Sequence, residues 1–186
     1  MKNILKRYVI KIPSEISVFY CEKSSLLFIQ GKIGKKLLKL KTKIIILKKK
    51  NLIIVKETDL NKFKDIKKTL NTELALIKQA FLEVSVITVK KLKLVGVGFK
   101  VFNKEIEKKN FIHFKLGYSH DIFFKVPTTI KINILQSTIM VISGVKYNDV
   151  LQMASLLKKF KTPDPYKGKG ILYSNESIKL KEGKKV

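Results

Sequence analysis

Apolar positions along the chain follow two different periods, and the changes between them divide it into elements. Early on they fall in short β-branched and aromatic runs: Tyr8 to Ile12, Ile16-Ser-Val-Phe-Tyr20 and Leu26-Leu-Phe-Ile-Gln30, bounded by Pro13, Lys23-Ser-Ser25 and Gly31. That pattern predicts three strands. Leu37 to Leu40, Ile44 to Leu47 and Leu52 to Val55 predict three more, with Lys48-Lys-Lys-Asn51 as a charged hairpin turn that suits solvent and RNA equally. From a helix cap at Thr58-Asp59 the period lengthens, and Phe63, Ile66, Leu70, Leu74, Ile77 and Phe81 recur at steps of three and four residues. This is the spacing of one helical face. The β-branched run Val84 to Val89 ends the helix.

The same grammar then returns. Strands are predicted at Leu92 to Phe102, Phe111 to Leu116, Ile122 to Val126, Ile130 to Ile134 and Ile139 to Ile142, followed by a helix whose core stripe is Val150, Met153, Ala154, Leu157 and Phe160. Lys158, Lys159 and Lys161 crowd the carboxy-terminal end of that helix, where its dipole favours cations. Beyond Thr162-Pro163 regular structure is expected to stop, leaving a basic tail with Gly168, Gly170 and Gly183. The two halves can be laid over each other, Pro13 through Gly31 on Pro127 through Gly144, since each starts at Pro, runs through two alternating strands and ends at Gly. The predicted fold class is α+β: two tandem duplicated domains, each a small, mainly antiparallel sheet with a helix packed on one face, plus an extended basic C-terminal tail. The expected boundaries are 1–87, 88–162 and 163–186.

Charge then narrows the function. A formal net charge of +26 on 186 residues calls for a polyanionic partner, because each Lys that neutralises a phosphate releases condensed counterions. Membrane surfaces compete for that role, but apolar stretches such as Leu26 to Ile29 and Ile44 to Leu47 are far short of the ~20 residues that span a bilayer. No membrane insertion is expected. With 45% hydrophobic residues the chain can build a core and is not a disordered basic tail. Cys21 is the single cysteine, expected as a small buried hydrophobe in a reducing compartment. The start, Met1-Lys-Asn-Ile-Leu-Lys-Arg, is too broken by Lys and Pro13 for a signal-peptide core. Arg7 is the sole arginine, although Arg is the better phosphate fork. This bias towards Lys codons points to an AT-rich genome, with organelle DNA as the leading explanation.

Catalysis finds little support. Beside scattered acids the chain offers His113, His120 and Cys21, without metal-ligand spacing. His113, between Ile112 and Phe114, is expected to face outward from a strand, and Glu105 and Glu107 lie in a Lys- and Asn-rich turn. Gly96-Val-Gly98 lacks the third glycine and the helix of a dinucleotide site, and Lys167-Gly-Lys-Gly170 is not a Walker loop. No catalytic residue, metal, cofactor or small-molecule substrate is expected. Gly96 and Gly98 serve equally well as a strand bulge or as a place where backbone approaches RNA. Lys90, Lys91 and Lys93 read alike as one solvated strand face or as phosphate contacts. Pro163-Asp-Pro-Tyr-Lys-Gly-Lys-Gly-Ile171 suits an extended arm along RNA, in which prolines limit freedom, Tyr166 stacks and lysines alternate with glycines.

Leu92-Lys-Leu-Val-Gly-Val-Gly-Phe-Lys100, Leu116-Gly-Tyr-Ser-His120, Gly144-Val-Lys146 before a helix, Pro163 to Ile171 and Lys181-Glu-Gly-Lys-Lys185 together closely resemble the family of universal large-subunit ribosomal protein six, bacterial type. The segments occur in the family's order and cover the carboxy-terminal half, while the amino-terminal half matches by layout. The resemblance implies two duplicated α+β domains bound to large-subunit rRNA near the translational GTPase centre, among neighbouring large-subunit proteins, with 88–162 as the main binding unit and 163–186 as a binding tail. The rRNA-binding residues it suggests are Lys90, Lys91, Lys93, Gly96, Gly98, Lys100, Ser119, His120, Pro165, Tyr166, Lys167, Gly168, Lys169, Gly170, Lys179, Lys181, Lys184 and Lys185. This copy departs from the family with Phe99 where Tyr is frequent, Asp121 where Pro commonly follows Ser-His, and Lys where Arg is usual. The expected location is the mitochondrial ribosome in the matrix; a plastid ribosome and the cytoplasm of an AT-rich bacterium are the alternatives. A free nucleic-acid-binding regulator is the rival function, with a peripheral membrane protein and an enzyme behind it.

Overall fold

The structure, a computed structural model, describes residues 8–47, 50–56, 63–106 and 109–183. The chain divides into two compact units, Met1–Ile87 and Thr88–Val186. The first contains β1 (Val9–Lys11), β2 (Ser17–Cys21), β3 (Leu26–Gln30), β4 (Lys35–Lys39), β5 (Lys43–Leu47), β6 (Leu52–Lys56) and α1 (Phe63–Ser85). Its strands form a β1-β6-β5 sheet and a β2-β3-β4 meander, all antiparallel. Leu70, Leu74, Ile77 and Phe81, the four described members of the predicted helical stripe, are buried against Leu27, Ile29, Ile53 and Val55. The Thr58-Asp59 cap lies outside the described residues.

One polar device holds helix and sheets together. The buried Glu73 carboxylate on α1 accepts hydrogen bonds from the Lys41 and Thr42 backbone N–H groups and from the Thr42 hydroxyl, all at the turn from β4 to β5. A buried carboxylate is costly unless its lone pairs are filled, and here the turn supplies the donors. Gly31 is held by packing: a Cβ there would lie 2.5 Å from the Val84 carbonyl oxygen.

The second unit contains β7 (Thr88–Val95), β8 (Lys100–Ile106), β9 (Lys109–Lys115), β10 (Ile122–Lys125), β11 (Ile130–Gln136), β12 (Ile139–Gly144), α2 (Tyr147–Lys159) and β13 (Gly170–Tyr173). The sheets are β11-β12-β7-β13 and a β8-β9-β10 meander. Val150, Met153, Ala154 and Leu157 of α2 are buried with Leu92, Leu94, Met140 and Ile142, and Phe160 packs its ring edge-on against Phe114 and Phe124.

The duplication is present, but its register differs from the overlay of Pro13–Gly31 on Pro127–Gly144. By strand order, β5-β6-β1 corresponds to β11-β12-β7, and the β2-β3-β4 meander corresponds to β8-β9-β10. The hairpin after Pro127 therefore matches β5-β6, not the hairpin after Pro13. Any half-buried hairpin alternates in the same way, so the pattern reports the period and not the sheet to which a strand belongs. Leu92 to Phe102 is likewise two strands and not one. At Gly96 to Phe99 the chain turns, with Phe99 N–H donating to the Gly96 carbonyl at 3.4 Å, and passes from one sheet to the other.

Two single-residue expectations also fail. Cys21 is exposed, because in β2 it lies on the face opposite half-buried Val18 and Tyr20. His113 does lie opposite the core residues Ile112 and Phe114, yet it is buried. Its ring stacks on Phe123 at 4.7 Å between centroids, and its Nε2 lies 2.7 Å from Asp121 Oδ2.

Candidate nucleic-acid interface

The largest correction concerns the segment after α2, expected as an extended arm without regular structure. Residues 170–173 form β13, antiparallel to β7 with Gly170 opposite Val95 and Tyr173 opposite Leu92. Ile171 and Leu172 are buried. The apolar side chains of Ile171 and Leu172 gain more by joining the sheet edge than by remaining in solvent.

Because β13 is anchored, the residues before it form a closed loop. Asp164 organises it: one carboxylate oxygen accepts from the Tyr166 N–H at 3.2 Å, the other from the Lys167 N–H at 3.1 Å, and the Asp164 carbonyl accepts from Gly168 N–H at 2.8 Å. The Asp164 N–H donates to the Lys169 carbonyl at 3.0 Å, closing the base. Gly168 has φ +68°, a conformation that L side chains rarely adopt. At Gly170 a Cβ would meet Pro163 Cα at 2.5 Å, so its close backbone approach is to the protein itself. Turned outward on this frame are Pro165, Tyr166, Lys167 and Lys169, all exposed. Among the described residues, no carboxylate pairs with either lysine.

Three neighbours complete the surface. Tyr118, from the loop after β9, donates its hydroxyl to the Phe160 carbonyl at 3.0 Å, and Lys161 Nζ lies 4.0 Å from the centre of its ring. His120 stacks beside Tyr118 at 6.0 Å, and Ser119 is exposed between them. Gly96 and Gly117 both pack on the Phe99 ring: a Cβ would lie 2.8 Å from it at Gly96 and 3.2 Å at Gly117. Gly98 is open around its Cα and has φ +76°, so it shapes the turn. Beyond β13 the chain folds back, where Lys181 N–H donates to the Pro165 carbonyl at 2.9 Å and Gly168 approaches Leu180. Lys179 and Lys181 are exposed there.

The fold-back is pinned by Glu176. Its carboxylate receives Lys158 Nζ at 2.6 and 2.7 Å and the Tyr173 N–H at 3.1 Å. The hydrogen bond from Lys158 holds the Glu176 carboxyl below its ordinary range, with the backbone N–H of Tyr173 adding to the effect against partial desolvation.

The suggested residues therefore separate into groups. Gly96, His120, Pro165 to Gly170 and Lys181 are linked by one run of contacts through Phe99, Gly117, Tyr118, Lys161 and Pro163, with Gly98 and Ser119 beside them in sequence. Lys100 follows Phe99 at the start of β8, exposed. Lys90 and Lys91 lie towards the other end of β7, roughly 15–20 Å from Gly96 along the strand. The three β7 lysines do not share a face: Lys91 and Lys93 alternate with buried Leu92 and Leu94, whereas Lys90 lies on their side. Lys184 and Lys185 lie outside the described residues. Sequence reasoning missed Asp164, Tyr118 and Lys161 as organisers; the signal for Asp164 is its position just before a Pro-Tyr-Lys-Gly turn, where an Asp side chain bonds backbone N–H groups two or three residues on.

Comparison with known proteins places the chain in a family. The ribosomal protein L6 family model matches residues 95–174, a span from the end of β7 to the residue after β13. Large ribosomal subunit protein uL6 of Mycoplasmoides gallisepticum is 38% identical over 178 residues, covering 95% of this chain and 93% of its own length. The same protein from Mycoplasma genitalium is 35% identical over 184 residues, covering 99% and 97%. That of Buchnera aphidicola from Acyrthosiphon pisum is 44% identical over 114 residues, covering 61% and 62%. With the first two of these relatives matched over more than nine-tenths of both chains, the chain belongs to the uL6 family of large ribosomal subunit proteins, and its role is structural and not enzymatic.

Proposed function

We propose that the chain binds large-subunit rRNA near the translational GTPase centre and stabilises it there, alongside neighbouring large-subunit proteins. The carrying observation is the loop 163–170, closed by Asp164 and by the Gly170–Pro163 contact, which presents Tyr166, Lys167 and Lys169 to solvent with no carboxylate paired to either lysine among the described residues. Such a loop loses little conformational entropy on binding. Lysines on it position a phosphate backbone and carry no base code, so recognition is of rRNA shape. Unit 88–162 supplies the platform, and the chain after 163 acts as a folded loop and strand with a short basic end, instead of ordering from a free arm on assembly.

The test is equilibrium binding of the full chain to large-subunit rRNA across salt concentrations. Lys167→Gln with Lys169→Gln is expected to weaken binding and lower the salt slope by about two units, about one per phosphate contact at duplex-like charge density. An unchanged slope would remove the loop from the interface. A free regulatory RNA-binder would instead leave the ribosome during a high-salt wash.

The home of this ribosome is proposed from composition. Arg7 as sole arginine favours an AT-rich organelle genome, and the mitochondrial matrix is the reading we favour. The bacterial origin of the relatives favours the second reading, the cytoplasm of an AT-rich bacterium. Mass spectrometry of ribosomes from purified organelles against those of the remaining cell decides between them.

A further inference from the structure

The face of the β8-β9-β10 meander that points away from the core carries chemistry that phosphate docking by the loop does not use. Cross-strand pairing places Phe102 opposite His113 and His113 opposite Phe123, so one aromatic row crosses all three strands. The outer two are exposed, Phe102 by 41% and Phe123 by 49%. The middle ring is fixed: His113 is stacked on Phe123, tilted against Phe102 at 6.0 Å, and held by Asp121. On one side the row is flanked by the Lys100–Lys115 pair and on the other by Lys104, Phe111 and Lys125. All four lysines are exposed, and Lys104 Nζ lies 5.2 Å from the centre of the Phe123 ring. Among the described residues, one acid stands on this face against the four cations, Asp121, already engaged with His113.

We propose that this face binds unpaired RNA, with bases stacked on Phe102 and Phe123 and the adjoining phosphates held by Lys100, Lys104, Lys115 and Lys125. Exposed aromatic rings on a β-sheet give every base a π-face to rest on, and flanking cations two residues along each strand, roughly 7 Å away, track the sugar-phosphate chain. The charge of the rim selects the occupant, because an apolar protein segment would leave four lysines without counter-charges whereas a single strand supplies a phosphate per nucleotide. The inference rests on the chain being an RNA-binder. It concerns a different surface and a different recognition mode from the loop 163–170.

The experiment uses the full chain and a twelve-nucleotide uridine oligomer, with a structured large-subunit rRNA fragment as the second probe. Phe102→Leu with Phe123→Leu keeps apolar bulk and removes the π-faces, and circular dichroism checks that the variant is folded. Its affinity for the uridine oligomer is expected to fall about tenfold or more, since each stacked base is worth roughly fivefold or more. Its salt slope should stay as in the parent, and ultraviolet irradiation should crosslink the oligomer to Phe102 or Phe123 of the parent. Equal affinity of parent and variant, or crosslinks confined to other segments, overturns the proposal. If Lys167→Gln with Lys169→Gln weakens the rRNA fragment while the Phe pair changes nothing, the loop reading survives and this one fails. If in assembled subunits the Phe pair abolishes a crosslink to a protein and leaves every RNA crosslink, a protein covers the face and the proposal is likewise wrong.

Discussion

Gly168 and Gly170 alternate with Lys167 and Lys169, and the two residue types do opposite work at one place. The glycines face inward to the protein: Gly170 lies against Pro163 and the Lys161 carbonyl, and Gly168 occupies a positive-φ turn. The lysines face out. Gly170→Ala is therefore expected to destabilise the folded chain by about 1–3 kcal/mol, the usual cost of forcing atoms into a packed site, as read by denaturant unfolding. The salt slope of rRNA binding should hold, because no charge is lost. Lys167→Gln with Lys169→Gln should do the reverse, lowering the slope at unchanged stability. Equal unfolding midpoints for Gly170→Ala and its parent would show that the loop is not the tight frame described. The sequence marked these residues as a candidate site. It did not show which atoms the glycines accommodate, because Pro163 approaches Gly170 only once β13 has paired with β7.

Elements with a strong local period could be read from the chain, and those defined by distant pairing could not. Both helices and the strand at Leu26–Gln30 follow from spacing alone. The four residues of β13 begin at Gly170, two residues after Gly168, carry no long alternation and become a strand only because the β7 edge, about 75 residues earlier, offers a ladder. For the same reason the overlay of the two halves took the wrong hairpin, since partner choice is absent from local alternation. The fold-back after β13 is an element-scale device with a pH signature. Lys158 lowers the folded carboxyl of Glu176 below its ordinary value, so its contribution is present above the unfolded carboxylate range and is lost as pH falls through the depressed folded value. Glu176→Gln is expected to lower stability at neutral pH and to lose that deficit in acid. Urea unfolding of both forms at neutral and strongly acidic pH checks it, and a deficit that persists at low pH would mean packing, not charge, holds the segment.

On the scale of the whole molecule, a charge of +26 must be reconciled with a folded body. Self-repulsion of that size destabilises compact states, and two separate cores with interiors of Leu, Ile and Phe offset it. Each unit closes its own sheets, so neither needs the other to complete a ladder among the described residues. Among the described residues of the second unit, the largest fully buried side chain is Phe114, edge-on to Phe160. Phe114→Ala should thus cost about 3–5 kcal/mol, and in a two-core chain that loss should be confined to one of two unfolding transitions. This leads to a test of where binding resides. Residues 88–186, expressed alone, are expected to fold cooperatively, because they hold a complete four-stranded sheet, a meander and α2. They are expected to retain most of the rRNA affinity and most of the salt slope, since the loop 163–170, the Tyr118–Lys161 contact and the Gly96–Phe99 turn all belong to this unit. Calorimetry of the fragment and rRNA titration at several salt concentrations supply the measurement. Strong binding by 1–87 with none by 88–186 would move the interface to the first unit and leave the ordered loop with another partner. A fragment that folds and binds, but with the Phe114→Ala variant losing fold and affinity together, ties recognition to the core that holds the loop in place.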